Sequence, residues 1–137
     1  MRTDSKRLKK ADYVALARFR ATLRRFLHHS DEGARQAGVT PQQHQLVLAI
    51  KGSEREAATV AEVAEALQIR HHAAVGLANR CEEAGLIHRS PDPIDRRQVR
   101  LTVTEHGEEV LSRLAEHNRE ELEALRQALS LEFLDAE

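Results

Sequence analysis

The chain has 137 residues, the size of one domain. With 41% hydrophobic and 31% charged residues it has the balance of a globular rather than a disordered protein. Its 21 Lys/Arg and 22 Asp/Glu leave a net charge of −1. An apolar run of about 18 residues would be needed to span a membrane, and none is present. The polar, basic stretch Met1–Lys10 predicts no secretory leader. One cysteine, Cys81, excludes an internal disulfide and predicts a reducing, cytoplasmic setting. Aromatic residues are only 3% (Tyr13, Phe19, Phe26 and Phe133), which argues against stacking platforms for single-stranded nucleic acid. The charge is unevenly placed. Residues 1–27 carry nine Lys/Arg against two Asp, and residues 104–137 carry three Arg against ten acids. The two ends are electrostatically complementary.

In chain order, the first predicted element is a long helix over roughly 12–37. Asp12 is a plausible N-cap, and Leu16, Phe19, Leu23, Phe26 and Leu27 form an apolar stripe at helical spacing. Gly38 supplies a stop. Thr40-Pro41 reads as an N-cap followed by Pro at the first helical position. The helix it opens turns Leu46, Val47 and Ile50 inward and ends near Gly52. Thr59-Val60-Ala61-Glu62 is a capping box opening a helix over 60–67. A short turn, Gln68-Ile69-Arg70, leads to a helix over about 71–84 with Ala74, Leu77, Ala78 and Cys81 on one face. After Gly85, residues 86–89 read as a strand, and residues 90–97 as a charged turn. Val99, Leu101 and Val103 alternate with polar residues as a half-buried second strand. Thr104 caps a final helix with Val110, Leu111, Leu114, Leu122, Leu125 and Leu129 on one face, broken at Ser130 before Leu131, Phe133 and Leu134.

Two short helices joined by a tight turn and followed by a hairpin make a winged helix-turn-helix. The fold class expected is mainly α with a small β-hairpin wing. Such a second helix fits the major groove, and a hairpin tip can reach the adjacent minor groove. The run Leu67 to Ile87 resembles the recognition helix of the MarR family of bacterial transcriptional regulators. The run Asp92 to Gly107 is similar to that family's wing, with its Asp-x-Arg element at Asp95 and Arg97. Thr40-Pro-Gln-Gln-His resembles the start of its second helix. These motifs occur in the family's order and spacing, over about residues 10–130.

The resemblance implies a cytoplasmic homodimer whose first and last helices, about 10–38 and 104–137, intertwine around winged-helix segments at about 40–103. It implies a repressor on a pseudo-palindromic DNA operator, released by a small aromatic or phenolic effector. The DNA-binding residues expected are Thr59, Arg70, His71, His72, Ala73, Val75, Gly76, Asn79, Arg80, Asp95, Arg96 and Arg97. The start Arg70-His71-His72-Ala73 departs from the family's usual Ser/Thr-rich sequence. Asn79 and Arg80 lie late on the helix and suit phosphates better than bases. Asp95 is expected to hold Arg97, leaving one arginine for the minor groove. An effector pocket is expected around Phe26, His29, His44 and Val47, at the inner ends of the first, second and fifth helices.

Other readings are weaker. Residues 59–100 hold six Arg against six acids, which keeps open a winged-helix protein-interaction module without DNA binding. The sequence contains no phosphate-binding Gly loop, no His-Glu-x-x-His and no nucleophile beside a base, so no catalysis and no cofactor are expected. His28 and His29 are adjacent and do not share a helix face, and His106 and His117 are three turns apart. A metal would need an inter-helix site using His28, His29, His44 or His106, and none is expected. Cys81, on an apolar stripe with no resolving partner, reads as a core residue rather than a redox sensor.

Overall fold

The computed structural model describes residues 7–129. The element order is α1 (Lys10–Gln36), α2 (Pro41–Lys51), β1 (Ala57–Ala58), α3 (Val60–Leu67), α4 (His71–Glu83), β2 (Ile87–Pro91), β3 (Val99–Val103), α5 (Glu105–His117) and α6 (Arg119–Ala128). The expected helices and hairpin are all present. The segment around Ser130, Leu131, Phe133 and Leu134 lies outside the described residues.

Local chemistry sets the helix starts. Thr40 accepts from Gln43 N at 3.1 Å, and Gln43 Oε1 accepts from Thr40 N at 2.9 Å, ahead of Pro41. Thr59 and Glu62 make the same reciprocal box at 3.2 and 3.3 Å. Thr104 accepts from Gly107 N at 3.0 Å. Each box satisfies donors that a helix start would otherwise leave unpaired. Asp12 does not cap α1 as its first residue. It sits three residues after Lys9 and accepts from Lys9 N at 2.7 Å, so the helix begins earlier than expected.

The core gathers Leu46, Val47 and Ile50 of α2, Val63 of α3, Leu77, Ala78 and Cys81 of α4, Leu86, Ile87, Leu101, and Val110, Leu111 and Leu114 of α5. From α1 only Ala34 joins it. The expected stripe of α1 is half-buried at Leu16, Phe19, Leu23 and Phe26, and Leu27 is 51% exposed. The upper part of α1 packs on α6, which itself buries no residue fully.

Four expectations change. The hairpin is part of a three-stranded sheet of order β1-β3-β2, because the two-residue β1 pairs with the free edge of β3 at Ala57↔Thr102 and Ala58↔Leu101. The strand after Gly85 starts at Ile87 and continues through Ser90 and Pro91, which pair with Arg100 and Val99. Proline is tolerated there because β2 is an edge strand. Val99 lies beyond the core and is 46% exposed, while Leu101 two residues on is fully buried. Finally, the last helix divides at Asn118, which is buried between α5 and α6.

Candidate nucleic-acid interface

The site begins with the α3–α4 turn. Gln68 closes α3 in the left-handed region at φ 55°, and Arg70 then takes extended backbone as the N-cap of α4. Arg70 makes no side-chain cap bond, so its guanidinium is not engaged by the helix end. Ala74, Leu77, Ala78 and Cys81 are buried, and α4 packs on α2 and α3 through that face. His71, His72, Ala73, Asn79 and Arg80 are exposed, and Val75 and Gly76 are half-buried. One side of α4 is thus fixed to the core and the other offers donors to solvent. The open space above Gly76 is bounded by Arg80, whose Nη1 would stand 3.4 Å from a β-carbon there.

The wing is built around an aspartate. Asp92 is only 4% exposed. Its Oδ1 accepts from Ile94 N at 2.8 Å and from Asp95 N at 3.2 Å, a side-chain-closed turn. These two N–H groups, with smaller help from Arg55 and Arg100, hold its carboxyl below the ordinary carboxylate range. Asp92 N donates to Gln98 O and Gln98 N to Asp95 O, at 2.9 and 3.0 Å. Asp95 does hold Arg97, but by the backbone: Oδ1 accepts from Arg97 N at 3.1 Å. The guanidinium groups of Arg96 and Arg97 are both exposed and make no ion pair among the described residues. The expected pairing that left one arginine available is corrected to two.

The balance of charge over residues 59–100 also changes meaning. Asp92 faces inward, Glu62 is engaged by the Thr59 cap, and Glu82 pairs with Arg89 at 3.6 Å. Arg70, Arg80, Arg96 and Arg97 are exposed and outside any ion pair among the described residues. Thr59 is placed differently from the rest of the expected set. Its hydroxyl accepts from Glu62 N and donates to Glu62 Oε1 at 3.1 Å, so its polar atoms serve the helix start.

The four residues expected around an effector are not brought together. Val47 belongs to the core. His44 is half-buried, and burial lowers its pKa against a smaller opposing pull from Asp31. His29 lines a cleft of about 520 Å³ with Ala21, Arg24, Arg25, His28, Glu32 and Glu121, and Phe26, His44 and Val47 are not on its wall. No group of three or more His, Cys, Asp or Glu among the described residues is placed to hold a metal ion. Cys81 is buried, and burial pushes its thiol up to about 11. No helix among the described residues is long and apolar enough to cross a membrane.

The sequence reading missed that Asp92 closes the wing turn. An Asp two residues before the N–H it accepts is a turn signal, and Asp92-Pro-Ile carries it.

Comparison with known proteins follows the same outline. The MarR family model matches residues 37–98, the stretch from α2 to the wing. The transcriptional regulator Tm0710 from Thermotoga maritima is 28% identical, with 85% of this chain and 83% of that one covered at a TM-score of 0.66. A mutant of S. aureus MepR bound to an oligodeoxyribonucleotide is 21% identical, with 93% and 90% covered at a TM-score of 0.67. Bordetella bronchiseptica BpsR, whose DNA binding is regulated by 6-hydroxynicotinic acid, is 21% identical, with 77% and 74% covered at a TM-score of 0.61. No curated protein sequence matches this chain.

Proposed function

We propose that this chain, whose residues 37–98 match the MarR family model, is a cytoplasmic transcriptional repressor of that family that binds double-stranded DNA sequence-specifically as a homodimer. The observation that carries this reading is the division of α4 into a buried face and an exposed one bearing His71, His72, Asn79 and Arg80. A helix held along one side, with donors on the other, suits the major groove. Arg96 and Arg97 on the wing suit the minor groove, where its negative potential draws cations.

Dimerisation is supported by apolar surface on α1 and α6. Tyr13, Val14, Leu27, Leu122 and Leu129 are each exposed by between 44 and 56%. A second copy would cover such surface and place two α4 helices about one turn of DNA apart. A small effector that changes their spacing would release the DNA, and BpsR, regulated by 6-hydroxynicotinic acid, is the precedent among the similar structures. Within this chain the cleft beside His29 is the part of the expected effector region that is open.

The test is selection. Purified protein is mixed with fragmented source DNA at about physiological salt, and bound fragments are sequenced. Enrichment of a pseudo-palindrome overlapping a promoter supports the reading. No enriched site, from protein with a dimer's mass, overturns it and favours a protein-interaction module.

A further inference from the structure

We propose that Ile94, at the tip of the wing, is itself a DNA contact: an apolar wedge that enters the minor groove and packs against a base step between the cations of Arg96 and Arg97 and the edge of the loop. The inference rests on the DNA-binding reading above and adds to it a contact of another chemical class.

Ile94 is 88% exposed, more than any other large hydrophobic residue among those described. Single apolar side chains are common on surfaces, and most need no explanation. Ile94 differs in being displayed by a built loop. Its N–H donates to Asp92 Oδ1 at 2.8 Å, and Asp95 N–H reaches the same oxygen. Asp92 is buried beneath, and its own N–H is fixed to Gln98 O. Pro93 restricts the backbone immediately before Ile94. The polar anchors of the tip therefore point inward and its one large apolar side chain points out. A flexible tip would fold such a side chain back onto the protein, and the Asp92 turn prevents it.

The surroundings match the same chemistry. Arg96 and Arg97 are exposed within three residues, and Val99, 46% exposed, stands at the last strand pair before the loop. Proteins that kink DNA from the minor groove combine an apolar side chain at a base step with cations on the flanking phosphates. A protein-docking surface would ask for a contiguous apolar patch, and Ile94 is surrounded by Pro93, Asp95 and two arginines.

The experiment uses the full chain and the duplex recovered by selection, with 2-aminopurine placed at each step facing the wing. Wild type, Ile94→Ala, Ile94→Leu and Arg97→Ala are titrated at several salt concentrations against this duplex and a random one. Thermal melting checks that all four are folded. Ile94→Ala removes the buried apolar contact that offsets unstacking, so it is expected to weaken binding to the selected duplex roughly tenfold and to abolish the fluorescence rise. Its salt slope should match wild type, because no phosphate contact is lost. Ile94→Leu should keep both signals, and Arg97→Ala should lower the slope. Unchanged affinity or fluorescence in Ile94→Ala overturns the wedge while leaving the DNA-binding reading in place. Failure of wild type to bind any duplex overturns both.

Discussion

The imidazole ring of His29 lies flat on that of His117, with 4.1 Å between centroids and 7° between planes. His29 Nε2 donates to the His117 carbonyl at 2.9 Å. One residue on, Asn118 Nδ2 reaches Ser30 Oγ at 3.4 Å. These contacts join the C-terminal part of α1 to the junction of α5 and α6. Gly33 makes the approach possible, since a β-carbon there would run into the His117 ring.

Gly33→Ala should therefore destabilise the protein by about 1–3 kcal/mol, the usual cost of overpacking. Adding His117→Ala should recover part of the loss, because it removes the obstructing ring. Urea melts of both singles and the double measure the coupling. Additive losses would mean that the ring is not what the methyl meets.

Arg97→Ala should weaken binding to selected and random duplexes alike and reduce the salt slope by about 1. Arg70→Ala and His72→Ala should cost more on the selected duplex than on the random one. Equal losses on both would make Arg70 and His72 phosphate contacts rather than readers of bases.

Thr59→Ala should lower stability by about 1 kcal/mol through loss of the α3 cap, and Thr59→Ser should retain it. Chemical denaturation separates the two variants. Because the hydroxyl is engaged by Glu62, Thr59→Ser should also bind DNA as wild type does.

Cys81 should be inert to a thiol reagent in the native protein at pH 8. Its thiol is buried and pushed up to about 11 by that burial, which leaves little thiolate. Reaction should appear only as the chain unfolds in urea. Rapid labelling without denaturant would contradict the packing of α4.

His44 carries a pH dependence of stability. Burial lowers its folded pKa below 6.5, so the unfolded chain takes up the proton first as the pH falls. Its contribution is complete well above pH 6.5 and is lost progressively as the pH drops through 6.5 toward the folded value. The melting temperature should fall between pH 7.5 and 5.5, and His44→Gln should flatten that fall.

Much of the architecture was legible because it is local. The boxes at Thr40-Gln43 and Thr59-Glu62 each join residues three apart, so spacing alone exposes them. The inward face of α4 is likewise read from the recurrence of Ala74, Leu77, Ala78 and Cys81. The strand at Ala57–Ala58 was not legible, because alanine has weak strand preference and the pairing depends on the free edge of β3 more than forty residues away. The break at Asn118 was missed for a similar reason. Leu122, Leu125 and Leu129 continue the apolar spacing of α5, while what marks Asn118 is burial against Ser30 of a distant helix.

The sequence by itself determined the element types, the order of the winged helix and the residues presented at the start of α4, since period, capping and turn chemistry act over a few positions. Tertiary structure alone decided which charges are available and which of the residues expected around an effector are accessible. Asp92 turns inward and Asp95 takes a backbone N–H, leaving both wing arginines outside any ion pair among the described residues. Val47 is sealed in the core while His29 opens onto a cleft. Those outcomes depend on which surfaces meet across long stretches of chain, and charge counts or helical spacing carry no record of such meetings.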